Sequence, residues 1–336
     1  MGDQDNMSGA SLELRDRKGE PLPLPDLAER WPLGGWLGVE RGPGAKNLHL
    51  QVEAAEGAFF LRRSHRTKAR EELRFQLDLL RTLKDRGHPV PLPVLTSSGD
   101  DHVELDERLW VLTKAIEGSP YDEQSPAHLR AFGHTVARYH QLVGDLPSGA
   151  GEPAILGELR QRAAEVTVDP KVSDRAVEVV AELDALLPDL PRAVAHGGAR
   201  RGSMLFRGPE VVGVLDFDSA HPDVRVLDIA VAAHDVGKVY TQKSADDHKV
   251  ALDLSRVAGM LEAYREIGTI TPAEEAALPL LMEAKRLKRA LGRLRRREDD
   301  EPLSDNDHAK IAQESRRLQW LDDHRDDVAT ACAGAG

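Results

Sequence analysis

Residues 193–220 read AVAHGGARRGSMLFRGPEVVGVLDFDSA. A short apolar run, Ala193-Val194-Ala195, enters His196-Gly197, and the small and basic residues from Gly198 to Ser203 follow. Two β-rich runs, around Met204-Leu205-Phe206 and Val211 to Leu215, flank Gly208-Pro209, a spacing that predicts a hairpin. The second run ends in Asp216-Phe217-Asp218. Two carboxylates at the end of an apolar strand are costly unless a cation or hydrogen-bond donors meet them. They read either as a pair that caps a turn or as ligands of a metal ion.

Outward from this stretch the chain changes character twice. From Trp36 to about Ala115 it carries the β-like runs LHLQVEA, GAFFLRR and RLWVLTKAI, interrupted by one amphipathic segment, TKAREELRFQLDLLRTLKDRG. That segment predicts a helix with Leu73, Leu77 and Leu80 on one stripe, stopping at Gly87 and Pro89. After IEGSP come long helical stretches, PAHLRAFGHTVARYHQLVGDL, SDRAVEVVAELDALLPDL, HKVALDLSRVAGMLEAYREIG and TPAEEAALPLLMEAKRLKRALGRLRRR. The expected architecture is α+β and bilobal: a small sheet-plus-helix lobe over residues 21–116 and a large, mainly helical lobe over 117–336. Residues 1–20 and the small-residue end ACAGAG are expected to be loose tails. The basic run RLRRRED reads as the solvated end of a helix, since acidic residues follow it directly.

The chain has 336 residues, 40% of them hydrophobic, enough for two moderate domains with proper cores. Its formal charge of -12 argues against nucleic acid and anionic membrane surfaces as partners, because both require a basic face. A cationic small ligand would suit that charge better. A single cysteine, Cys332, excludes an internal disulfide and fits a reducing, cytoplasmic setting.

The motifs in 193–220, with the small lobe before them and Asp228 in PDVRVLDIA after them, resemble the aminoglycoside phosphotransferase and choline kinase superfamily. The resemblance spans roughly Trp36 to Arg297 and implies a bilobal kinase-like fold, a nucleotide (ATP or GTP) with Mg²⁺, and a small hydroxylated acceptor. It makes Asp216 the metal ligand, with Asp218 beside it. It puts Arg62 at the strand position that grips phosphates, Gln76 at the helix position that pairs with it, and Glu72 one turn earlier as a compensating carboxylate. Lys46, in Gly42-Pro43-Gly44-Ala45-Lys46-Asn47, falls in the phosphate-covering loop, and the backbone of Thr113, Ala115 and Ile116 beside the adenine. A hinge is expected near Glu117-Gly118.

Three positions depart from the family pattern. Gly198 stands where the acceptor-activating Asp belongs, Ser203 where an Asn binds metal, and Gln76 where a Glu pairs with the strand cation. Phosphoryl transfer rests on positioning and charge neutralisation, so these losses imply a nucleotide- and Mg²⁺-binding protein with impaired transfer. His196 is a candidate substitute base, and Ser203 a short replacement metal ligand. The alternatives are an active atypical phosphotransferase, or reuse of the cleft for a protein partner or a non-nucleotide ligand.

Overall fold

The computed structural model describes residues 14–16, 19–31, 33–42, 47–65, 69–149, 151–238, 250–298 and 305–334. The chain divides into two compact units, Met1–Glu117 and Gly118–Gly336.

The first unit runs α1 (Leu24–Ala28), β1 (Trp36–Arg41), β2 (Leu48–Ala54), β3 (Gly57–Arg63), α2 (Arg70–Asp85), β4 (Val103–Leu105) and β5 (Arg108–Lys114). The strands form one antiparallel sheet in the order β1-β2-β3-β5-β4. Alternation along β2 and β3 turns Leu50, Val52, Phe59 and Leu61 to one face, where they pack with Leu24, Leu27, Trp31, Trp110 and Leu112. Helix α2 buries Leu73, Leu77, Leu80 and Leu83 on one side, as the 3.6-residue period requires. It stops where Gly87 takes φ +77, a conformation that favours glycine.

The expectation of a loose tail over residues 1–20 fails for the described part of that segment. Arg15 pairs with Pro21 across a bridge, the Leu22 amide donates to Leu14 O at 2.8 Å, and Arg63 donates to Asp16 at 3.3 Å. Leu14 also packs against the sheet core, which ties the segment down.

The second unit contains α3 (Pro126–Leu142), α4 (Ala154–Glu165), α5 (Pro170–Leu186), β6 (Arg192–Ala195), β7 (Met204–Arg207), β8 (Glu210–Val214), β9 (His221–Val224), α6 (Val226–Gly237), α7 (Leu254–Ile267), α8 (Pro272–Glu298), α9 (Asp305–Asp323) and α10 (Arg325–Cys332). β7 and β8 make the expected hairpin around Gly208-Pro209, and β6 pairs antiparallel with β9. All of α6 is buried. The start of α7 at Leu254 lies six residues into the stretch read as helical from the sequence, beginning at the Asp253 side chain, which caps the Ser255 and Arg256 amides.

The C-terminal residues are likewise not loose as far as Cys332. Val328 and Cys332 join the large core, Arg265 donates to Cys332 O at 2.7 Å, and burial pushes the Cys332 thiol up to about 12. Among the described residues no helix is long and apolar enough to cross a membrane.

Helices α3 and α7 approach closely because Gly133 has no side chain. A Cβ there would lie 2.7 Å from both Met260 O and Ala263 Cβ. Gly133→Ala should therefore cost about 1–3 kcal/mol through overpacking and lower the thermal unfolding midpoint. An unchanged midpoint would mean that the two helices already have room for a methyl group.

Candidate active site

The segment between β6 and β7 is a tight, largely buried loop held from below by Asp228, in the first turn of α6. Asp228 is fully buried, and its two carboxylate oxygens accept from the His196 amide at 2.6 Å and the Gly197 amide at 2.8 Å. His140 Nε2 lies 3.5 Å from the same carboxylate, and His140 Nδ1 meets Tyr264 Oη at 2.9 Å. Burial alone pushes the Asp228 carboxyl up. Hydrogen bonding and charge from His140, together with His196, outweigh it and hold Asp228 below its ordinary value.

Gly197 makes the turn possible. Its φ is +72, and a Cβ would come 2.2 Å from Ser219 O. His196 then tucks inward against Phe217, ring centroids 4.3 Å apart. Its Nε2 lies 3.1 Å from Leu215 O and its Nδ1 3.2 Å from the Gly198 amide. A carbonyl only accepts and an amide only donates, so the partners select the neutral Nε2–H tautomer. Burial lowers the His196 pKa despite the pull of Asp228 and Asp216, which keeps the ring neutral. With both nitrogens committed to backbone, His196 is placed to hold the loop, and this geometry does not support the expectation that it replaces the missing base.

Gly198, by contrast, is a vacancy rather than a steric necessity. A Cβ there would meet nothing closer than His196 Nδ1 at 3.7 Å and Asp216 O at 3.8 Å, ordinary van der Waals contacts. Ser203 is 3% exposed, and its hydroxyl accepts from the Arg200 amide at 2.9 Å while lying 2.7 Å from Arg200 O and 3.3 Å from Gly198 O. The short hydroxyl thus closes the loop on itself, which conflicts with its expected use as a metal ligand. Arg201, which the sequence reading did not single out, ties the loop to α6. Its amide donates to Asp235 at 3.0 Å, and its guanidinium donates to Glu123 at 2.6 Å.

Beyond β8, Asp216 sits at φ 66, ψ 52, a left-handed conformation unusual for a residue with a side chain. Such backbone persists where the surroundings enforce it and gathers at functional sites. The Asp216 side chain is exposed and Asp218 half-buried, in a short 3₁₀ turn over Phe217–Ser219. Two hard carboxylates fit an ion of the Mg²⁺ type, which takes one or two protein carboxylates and completes its shell with phosphate and water. Among the described residues no group of three or more His, Cys, Asp or Glu side chains gathers to form an all-protein metal site.

In the first unit, Arg62 Nη2 donates to Gln76 Oε1 at 3.3 Å. The two residues expected to pair do so, through a neutral amide on a buried position of α2, while Glu72 one turn earlier is exposed. Thr113 lies in β5 opposite Phe60. The Ala115 amide donates to Ala58 O at 2.9 Å, so that donor is already used. Lys46 lies outside the described residues.

A profile of the phosphotransferase enzyme family matches residues 39–267. The homoserine kinase of Methylobacillus glycogenes is 31% identical over 259 residues, covering 75% of this chain and 77% of that protein. The homoserine kinase of Janthinobacterium sp. (strain Marseille) is 28% identical over 287 residues, covering 82% of this chain and 86% of its own. Among solved structures, amicoumacin kinase hAmiN in complex with AMP-PNP, Ca2+ and Ami aligns with a TM-score of 0.69 at 17% identity, over 89% of this chain and 92% of that one, a likeness of fold. The kinase-like α+β fold expected from the sequence is therefore the one found.

The Asp228 network makes a prediction on the acid side. Its carboxyl is held below its unfolded value of 3.8. The stability it contributes is thus complete above about pH 4 and is lost as the pH falls further through the folded value. Thermal unfolding midpoints measured from pH 6 to 2 should fall more steeply for the wild type than for Asp228→Asn. Parallel curves would remove Asp228 from the account of acid stability.

Proposed function

Because the chain belongs to the phosphotransferase enzyme family, we propose that it binds a nucleoside triphosphate with a divalent cation and transfers the terminal phosphoryl group poorly. One observation supports this reading: Gly198, where the family pattern expects the acceptor-activating Asp, has room for a side chain but none to take a proton.

Asp216 and Asp218 would hold the divalent ion against the triphosphate. The ion, when bound, supplies charge neutralisation at the phosphates. Its left-handed backbone turns the Asp216 carboxylate outward, and the neutral His196 ring fixes the Leu215 carbonyl immediately before it. Arg62, steadied by Gln76, is the candidate phosphate grip, and ATP and GTP remain equivalent candidates. A neutral amide steadies a guanidinium less than a carboxylate does, because the charge-assisted part of the hydrogen bond is absent.

The acceptor hydroxyl has only backbone beside it at Gly198. Loss of a positioned base costs on the order of 10²–10⁴ in rate, and Ser203 recovers none of it with its hydroxyl turned into the loop. The acceptor class is a small hydroxylated molecule. The curated relatives named homoserine kinase make L-homoserine the first acceptor to try.

Calorimetric titration with ATP and with GTP, each with and without Mg²⁺, tests this directly. Binding by the wild type should require the metal and should weaken at least ~10-fold in Asp216→Ala, the effect of about 1.4 kcal/mol from one lost charge contact. Turnover with L-homoserine should stay near background in both. No nucleotide binding under any condition would contradict the reading, and so would rapid wild-type turnover.

A further inference from the structure

Two residues beyond Gly198, the side chain of Arg200 enters a small cavity in the second unit, shared with His234 and Lys238 at the end of α6 and with Lys285, Arg286 and Arg289 on α8. The spacing of 285 and 289 puts their side chains on one face of that helix. Among the described residues lining the cavity there is one carboxylate, Asp235, and it is already engaged by Lys238 and by the Arg201 amide.

The remaining charges are only partly matched. Arg286 reaches Glu314 at 3.4 Å, but its guanidinium also meets both ring nitrogens of His234, at 3.0 and 3.2 Å. A neutral imidazole can accept at one nitrogen only. Burial, and then the charge of Arg286 and Lys238, holds His234 well below its ordinary value and so neutral. Among the described residues, no salt bridge joins a carboxylate to Arg200, Lys285 or Arg289; Glu314 attracts Arg289, but burial and the charge of Arg200 outweigh it. Burial, followed by repulsion from Arg200, pushes Lys285 down to about 7, although Asp228 pulls the other way. Partly buried cations that repel one another are costly unless an anion meets them.

We propose that this cavity is an anion site, in which Arg200, Lys285 and Arg289 receive the carboxylate or phosphoryl end of a small-molecule ligand. Guanidinium groups match the planar, bidentate geometry of such oxyanions, and a lysine adds a compact charge. The enclosed space is about 10 Å³, room for one oxygen of such a group and not for a whole ligand. The rest of the ligand therefore lies outside the cavity. The site does not depend on phosphoryl transfer. The identity of its ligand does: under the phosphotransferase reading the anion is either the acceptor's carboxylate or a phosphate.

Thermal unfolding at pH 6.5 without Mg²⁺ tests the site, with sodium phosphate, L-homoserine or 3-aminopropanol added against sodium chloride at equal ionic strength. 3-Aminopropanol is homoserine without its carboxylate. Saturating phosphate or homoserine should raise the midpoint by ~3 °C or more, as mass action predicts for a ligand well above its dissociation constant. A response to phosphate assigns a phosphoryl end, and a response to homoserine but not 3-aminopropanol assigns a carboxylate end.

Lys285→Met with Arg289→Met should abolish the rise and, because it relieves repulsion, unfold no lower than the wild type in chloride alone. Arg200→Gln, on the loop, provides a second variant if the pair fails to fold, and should reduce the rise by itself. No rise with either anion overturns the proposal, as does an equal rise in the variants. Nucleotide titration separates the two readings: Mg²⁺-dependent ATP binding without an anion effect removes only this site, whereas an anion effect without ATP binding removes only the nucleotide reading.

Discussion

A single buried carboxylate organises the candidate site. Asp228 is removed from water and left with two backbone amides and a histidine to satisfy it, and an unpaired carboxylate at that depth would be strongly destabilising. Meeting both amides forces the chain at His196-Gly197 into a sharp turn that only glycine can complete. The turn aims the His196 ring at the Leu215 carbonyl, and the next residue, Asp216, leaves the strand in a left-handed conformation with its carboxylate exposed. The position of the Asp216 carboxylate is thus set by a hydrogen-bond chain that begins at the first turn of α6.

This separates two sets of residues. His196, Gly197 and Asp228 are needed for the loop to exist, and all three are present with mutually consistent geometry. Gly198, Ser203 and Gln76 are the positions that depart from the family pattern, and the proposed loss of transfer rests on them, not on the frame. Space for a side chain remains at Gly198, the Ser203 hydroxyl has been drawn into the loop, and Arg62 still has a partner in Gln76. Under the proposed reading the frame stays intact while transfer is slow, because the two rest on different side chains.

Local patterns made much of this legible. The leucine stripe of α2, the hairpin around Gly208-Pro209 and the strands β2, β3 and β5 follow from period and turn chemistry within short windows. The loop at 196–203 followed from a resemblance whose residues lie in one stretch. What stayed hidden depends on long-range partners. Asp228 and Asp235 sit in the apolar run VLDIAVAAHDVG, where a lone carboxylate signals a buried partner without naming it. Arg201 meets Asp235 and Glu123, tens of residues away in either direction. Lys285 and Arg289 look like the wet face of a helix until α6 and the loop close over them. The net negative charge pointed to a cationic ligand, whereas the cavity beside the loop is walled by cations, because net charge says nothing about how charge is distributed.

The most direct test of the account is to restore the missing carboxylate. Steady-state phosphoryl transfer from Mg²⁺-ATP to L-homoserine would be measured for the wild type and for Gly198→Asp, with Ser203→Asn added in a second variant. If Gly198 is the lesion, the single change should raise the rate by ~10²-fold or more over the wild type, with nucleotide affinity unchanged. A folded, nucleotide-binding Gly198→Asp protein that remains as slow as the wild type, alone and with Ser203→Asn, would contradict the claim that this position limits the chemistry.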